Sequence, residues 1–342
     1  MMMMVYTAIN VPYSSLMGVM TSNTEDRTSL ASFRFIGAYS GGIFMTATVP
    51  YLLDFFKSGG SDEAQSYQFT VAVYAVLAAF FFIMTYLWTK ERVKPLQDKY
   101  SIWKDLKDLG KNAQWFIMLG AGVSVLIFNS LRDGSIMYYF KYFVKDQTLD
   151  FFGEVAWDKL AGAYMTVWLV TNLLGVLMAK PASSRFGKKT VFMGAMVIGC
   201  IFSVLFYWVD PNDITLIFGL NIIMGIASGI VLPLIWSMYA DIADYSEWKT
   251  GRRATGLVFS SSSMSQKLGW TLGGAITGWL LAAYGFEANA EQTVESLKGI
   301  RLMITIYPAS GALLAVLFLT IYKLNDKFMM TITDELAERR GD

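Results

Sequence analysis

Residues 237–270 read SMYADIADYSEWKTGRRATGLVFSSSSMSQKLGW, a charged stretch set between strongly apolar sequence. Asp241, Asp244, Glu247, Lys249, Arg252 and Arg253 fall between positions 241 and 253, and Lys267 then stands alone inside the next apolar run. Carboxylates and cations at that spacing form ion pairs, and an isolated amine in apolar surroundings donates hydrogen bonds into a cavity or to its neighbours. Neither arrangement makes or breaks covalent bonds. The chain has no histidine and a single cysteine, Cys200, which excludes His-based catalysis, zinc sites built on Cys or His, and an internal disulfide. Cys200 lies in VIGCIFSV and reads as a small buried apolar residue. With no nucleophile–base pair, metal cluster or phosphate loop in view, the protein is expected not to be an enzyme and to need no cofactor.

Four other polar positions sit in apolar sequence. Lys267 lies some fourteen residues beyond Arg252 and Arg253, about 21 Å along a helix, so it is expected past the membrane midplane, lining a cavity; a structural bond to backbone or serine is the alternative. Arg132, in NSLRDGSIMYYFKYFV, is followed by Asp133. Adjacent helix residues point about 100° apart, so the two need not pair: they either reach outward to the interface or face inward. Arg34, in ASFRFIGAYSGG, reads by itself as an interfacial anchor, and Asn10, in the first apolar run, as a hydrogen bond between helices.

The elements that hold these residues follow from composition. Of 342 residues, 54% are hydrophobic and only 16% charged, against about 25% charged in soluble domains. A net charge of +1 gives no support for a nucleic-acid surface. A helix of roughly 20 apolar residues spans the hydrocarbon core, and such runs occur at about 3–20, 34–54, 68–89, 114–138, 160–180, 190–208, 214–238, 256–283 and 300–322. The expectation is an all-α polytopic membrane protein with nine transmembrane helices. The first run lacks a basic flank and contains Pro12, so it does not read as a signal peptide.

Lysine and arginine concentrate in alternate inter-run segments, including 90–111, 185–189, 249–253 and 323–340. The positive-inside rule assigns these to the cytoplasm, with the C-terminus. The long segment KERVKPLQDKYSIWKDLKDLGKN (90–112) follows three runs and precedes six. Transporters built from paired repeats carry six helices on each side of such a loop, so three helices are expected to be absent from the front. The division predicted is 1–89 as part of an N-terminal bundle, 90–113 as inter-bundle loop, 114–324 as a six-helix bundle and 325–342 as a cytoplasmic tail.

The segments YTAINVPYSSL (6–16), EDRTSLASFR (25–34), RDGSIMYYFKY (132–142) and ADIADYSEWKTGRRATGLVFSSSSMSQK (240–267) resemble the glycoside–pentoside–hexuronide:cation symporters, melibiose-carrier-like members of the major facilitator superfamily. The similarity runs over essentially the whole chain and starts at the family's fourth helix, so nine helices here would correspond to helices four to twelve. It implies a secondary sugar transporter of the bacterial inner membrane, which carries a small sugar or glycoside together with Na+ or H+ by alternating access, with no nucleic-acid partner. Carried over by position, Asn10 takes the place of an acidic residue that serves cation and sugar; an amide keeps hydrogen bonding but weakens any role in cation binding. Arg34 matches an arginine of sugar recognition, and Lys267 a lysine near the central cavity. Tyr6 and Ser14, four residues either side of Asn10, share its helix face. Ser14 replaces a stacking aromatic, for which Trp236 or Tyr138 could substitute. The family's acidic residues of helices one and two have no counterpart here.

The stretch 241–253 is then expected to be a hinge between two helices, with Asp241 and Asp244 ending one and Lys249, Arg252 and Arg253 opening the next. Asp241, Asp244, Arg252 and Arg253 would form a gate of exposed salt bridges across the cytoplasmic mouth; a solvated loop is the alternative. Two other functions stay open: a lipid carrier of the same superfamily, and a non-transporting membrane fragment or sensor that needs a partner chain.

Overall fold

The computed structural model describes residues 2–21, 23–92, 107, 109–149, 153–251 and 255–340. Its helices are α1 (Met2–Met20), α2 (Thr24–Ser58), α3 (Glu63–Trp88), α4 (Ala113–Tyr138), α5 (Trp157–Phe186), α6 (Lys188–Leu205), α7 (Ile214–Thr250), α8 (Thr255–Ala283), α9 (Val294–Ile304), α10 (Ile306–Thr320) and α11 (Asp326–Arg340). A π-helical turn, Tyr139–Val144, continues α4, and β1 (Gln147–Leu149) pairs antiparallel with β2 (Gly153–Val155) before α5. Most of the segment 90–113, and both Arg252 and Arg253, lie outside the described residues.

Among the described residues six stretches are long and apolar enough to cross a membrane: Glu63–Trp88, Ala113–Val144, Trp157–Phe186, Lys188–Trp208, Ile214–Thr250 and Val294–Thr320. The other three apolar runs of the sequence fall in α1, α2 and α8, which carry more polar side chains: Asn10 and two serines in α1, Arg34, Asp54 and Lys57 in α2, the serine run and Lys267 in α8. Local chemistry sets the helix ends. The Asn23 side chain accepts from the Glu25 and Asp26 amides at the start of α2, with the two acids favourably placed in its first turn. Asp62 and Asp213 cap α3 and α7 in the same way.

Helices α4 to α10 form one bundle in which α5 and α6 pack on α7, α8 and α10 pack on α4, and α10 packs on α6. Glycine permits the closest crossing: a Cβ at Gly175 of α5 or Gly229 of α7 would run into the backbone of the other helix. Against this bundle, α2 lies along α5 and α7, and α1 along α8. Helix α3 packs on α2 and shows Val76, Phe81, Tyr86 and Trp88 outward, as a lipid-facing helix does. The polar residues of α1 and α2 are thereby brought against α7 and α8.

One expectation is corrected here. Residues 241–250 are not a hinge, because α7 runs unbroken to Thr250. It stops at Gly251, whose φ of +71° suits glycine and whose N–H bonds to the Glu247 carbonyl. Asp241 and Asp244 therefore lie inside a helix, each only 2% exposed, instead of at a solvated helix end.

Candidate functional site

Asn10 of α1 and Arg34 of α2 meet directly: Arg34 Nη2 donates to Asn10 Oδ1 at 3.1 Å. Ser14 Oγ donates to the same oxygen at 3.2 Å. Since arginine only donates, the amide oxygen is the atom that faces it. That oxygen has two donors and a guanidinium beside it, so it is a poor ligand for a cation and well suited to fixing the arginine. The guanidinium lies over the Trp236 ring of α7, 4.2 Å from the centroid, and 5.1 Å from that of Tyr13. Trp236 is itself stacked on Phe259 of α8 at 6.1 Å and 15°. Arg34 Nη1 is buried with no hydrogen-bond partner among the described residues. A buried guanidinium donor left unanswered costs a few kcal/mol. It is the kind of atom a ligand hydroxyl or carboxylate satisfies.

Lys267 lines a cavity of about 350 Å³ with Val11 of α1 and Ser260, Ser263 and Thr271 of α8. Val11 follows Asn10 in the chain, so this cavity adjoins the Asn10–Arg34 contact along α1. Ser263 Oγ is a second buried polar atom without a partner among the described residues. Tyr6, one turn before Asn10 on α1, is 52% exposed. Tyr138 is elsewhere: its ring packs edge-on to Phe286, 5.1 Å away, in a second apolar cluster distinct from the one that holds Trp236. The structure thus brings Asn10, Ser14, Arg34 and Trp236 into one contact set, places Lys267 in an adjoining cavity, and leaves Tyr138 apart. Tyr13 was not singled out by the sequence, although its spacing of three from Asn10 puts it on the same helix face.

The acids of α7 form a second, wholly buried site. Arg27 of α2 is 0% exposed and bridges both of them, through Nη1 to Asp244 and, at 3.4 Å, to Asp241. Lys188, the first residue of α6, reaches Asp241 at 2.6 Å. Thr28 and Ser237 share a hydroxyl–hydroxyl bond of 3.0 Å one step further along the α2–α7 contact. These partners are the reason the acids can be buried at all. The sequence counted Arg27 and Lys188 only as basic residues of connecting segments. A basic residue that follows a helix-capping Asn23, or opens a helix after Gly187, carries no local sign of burial. Tyr322 closes this site: burial, then the nearby Asp241 and Asp326 carboxylates, push its phenol well above the ordinary value, so it stays neutral. Its hydroxyl has no partner among the described residues. Helix α11 braces the end of α7, where Trp248 Nε1 donates to Glu335 at 2.6 Å and Arg339 donates to the Trp248 carbonyl at 3.0 Å.

Arg132 is 1% exposed and turns inward, which settles the alternative of an outward-reaching interfacial pair. It donates to the Tyr164 hydroxyl at 2.8 Å and lies over Trp168 at 4.9 Å. It therefore ties α4 to α5 within the bundle. Among the described residues no group of three or more His, Cys, Asp or Glu side chains could hold a metal ion.

The family model described as MFS/sugar transport protein matches residues 1–326. The inner membrane symporter YicJ of Escherichia coli K12 is 30% identical over 98% of this chain and 70% of its own length. The putative glycoside/cation symporter YagG of the same organism is 31% identical over 99% and 71%. The isoprimeverose transporter of Lactiplantibacillus pentosus is 30% identical over 98% and 69%. Among solved structures, the E. coli fucose:proton symporter FucP superimposes with a TM-score of 0.64 at 15% identity, over 92% of this chain and 73% of its own, a likeness of fold. The chain belongs to the MFS/sugar transport protein family, whose members are membrane transporters and not enzymes.

Proposed function

We propose that this protein carries a glycoside, pentoside or hexuronide across the bacterial inner membrane together with a cation, by alternating access. In this reading α1, α2 and α8 cross the membrane with the six more apolar stretches, nine helices in all, and the C-terminus is cytoplasmic. Residues 1–89 contribute to one moving half, 114–324 form the other, 90–113 connect them, and 325–342 are the tail. The observation that carries the reading is the buried, unanswered Nη1 of Arg34, held by Asn10 and backed by Trp236 where the two halves meet. A guanidinium donates to two sugar hydroxyls or to a uronate carboxylate, and an indole offers a face for a sugar ring. Such donors favour a sugar over an acyl chain. Lys267 contributes a second donor from α8, and Tyr6 and Ser14 shape the α1 wall.

Asp241 and Asp244 act as the gate, with Arg27 and Lys188 as their partners. Arg27 belongs to one half, the acids and Lys188 to the other, so the pairs that Arg27 makes exist only while that mouth is closed. The class of cargo is also that of the glycoside/cation symporter and the isoprimeverose transporter by their names. Asn10, with its oxygen already engaged, serves the sugar and not the cation.

The test is uptake of radiolabelled xylosides, other glycosides and glucuronides by proteoliposomes holding the purified chain, under an imposed sodium gradient, a proton gradient, or neither. Accumulation of at least one of these sugars under one of the two gradients supports the proposal and identifies the ion. Equal uptake in all three conditions, or accumulation of lysolipid in place of sugar, would overturn it.

A further inference from the structure

A larger cavity, about 540 Å³, lies beside the buried acids and borders three parts of the molecule. Its walls come from the start of α2 with Glu25 and Thr28, from the α5–α6 turn with Lys180, Arg185 and Lys189, and from the start of α11 with Lys327. Lys188 also lines it, but that amine is engaged by Asp241. Lys180, Arg185, Lys189 and Lys327 have no carboxylate within 4 Å among the described residues. The Lys189 amine donates to the Thr320 and Tyr322 carbonyls at 3.3 and 2.6 Å, which fixes its position and leaves its charge uncompensated. Among the described residues the acids in the wall are Glu25 and Asp326, and Asp326 is already bonded to the Lys188 amide at 3.0 Å, where it caps α6.

Four uncompensated cations converging on one cavity repel each other, and an anion bound among them removes that repulsion. The Thr190 hydroxyl lines the same space as a neutral donor, while those of Ser183 and Ser184 donate to the Lys180 and Pro181 carbonyls. Clustered lysines and an arginine approaching from three elements suit a tetrahedral, multiply charged oxyanion better than a flat carboxylate.

We propose that this cavity binds a phosphate group, held by Lys180, Arg185, Lys189 and Lys327. The phosphate can belong to an anionic phospholipid headgroup or be free in solution, and the two sources are separable by experiment.

The experiment titrates the purified full chain in a neutral detergent, following its tryptophan fluorescence on thermal unfolding. Three probes are compared at equal ionic strength: dioctanoyl-phosphatidylglycerol, dioctanoyl-phosphatidylcholine and inorganic phosphate. The expected result is a saturable rise in Tm with phosphatidylglycerol, with inorganic phosphate or with both. In Arg185→Gln/Lys327→Gln the apparent affinity should weaken at least tenfold. Both side chains are exposed, so this variant is expected to fold; Arg185→Glu alone serves as a second variant. A response to phosphatidylglycerol alone assigns the phosphate to a lipid, and a response to inorganic phosphate alone assigns it to solution. A Tm unmoved by either probe, a rise equal to that with phosphatidylcholine, or an affinity unchanged in both variants would overturn the proposal.

Discussion

Replacing Arg27 by alanine should open the charged mouth. The structure puts the Asp241 and Asp244 carboxylates of α7 against this one guanidinium, and Arg27 and its partners are almost fully shielded from water. Its removal takes away the guanidinium that both carboxylates share, while Lys188 stays on Asp241. Breaking a buried ion pair from one side costs about 3–5 kcal/mol, because a charge is left uncompensated. In the open conformation the same carboxylates are hydrated, so nearly all of that cost falls on the closed state. At about 1.4 kcal/mol per factor of ten, the ratio of closed to open should drop on the order of a hundredfold or more. Arg27→Lys keeps the charge but carries it on a shorter side chain, and should lie between wild type and alanine.

Spin labels at Glu25→Cys and Ser184→Cys, in a Cys200→Ser background, span the two halves at this mouth. In the parent protein their distance distribution should be dominated by the short, closed component, and in Arg27→Ala by a longer one. Adding Asp244→Asn should recover part of the closed population, since it removes one of the two charges that Arg27 bridges. An unchanged distribution in Arg27→Ala, with the protein folded, would refute the reasoning. So would a double variant as open as the sum of the two single ones.

Other expectations follow from the same contacts. Arg34→Lys should raise the sugar Kd by about ten- to a hundredfold, because it loses the second donor and the stacking on Trp236, each worth about 1 kcal/mol or more; equilibrium dialysis checks it. Lys267→Ala should weaken sugar binding by about tenfold, the loss of one charged donor, while leaving the spin-label distances at the other mouth unchanged. Gly229→Ala should destabilise the chain by about 1–3 kcal/mol, since the methyl meets the Asn172 backbone, and a lowered Tm would show it. Tyr322→Phe should raise stability by about 1 kcal/mol, as it deletes a buried hydroxyl that has no partner among the described residues; a lower Tm would count against that assignment.

How much of this was legible in the sequence depends on the range of the interaction. Apolar runs are local, so the helices were readable, and α4 to α7 each begin within a few residues of a run. The end of α7 was misplaced because charge at 241–249 resembles a loop, whereas the decisive signal was the single glycine at 251. The β1–β2 hairpin was missed for lack of any alternating pattern in segments of three residues. Asn10 and Arg34 were singled out separately through resemblance, but their mutual bond joins residues 24 apart on two helices, and no spacing rule specifies it. The pairing of Arg27 with Asp241 spans 214 residues, and positional charge counting reads Arg27 only as a loop cation. The fate of Arg132 needed tertiary contacts as well, since its partners Tyr164 and Met224 come from α5 and α7.

The most direct test of the account is sugar counterflow in proteoliposomes, because exchange needs only a sugar site and alternating access, with no gradient of the coupling ion. Vesicles preloaded with an unlabelled pentoside, glycoside or glucuronide are diluted into a trace of the labelled sugar. The account predicts a transient accumulation of label for at least one of these sugars, and its loss in Arg34→Gln. No accumulation with any of them, or accumulation equal in Arg34→Gln, would contradict the claim that Arg34, Asn10 and Trp236 form a sugar site between two moving halves.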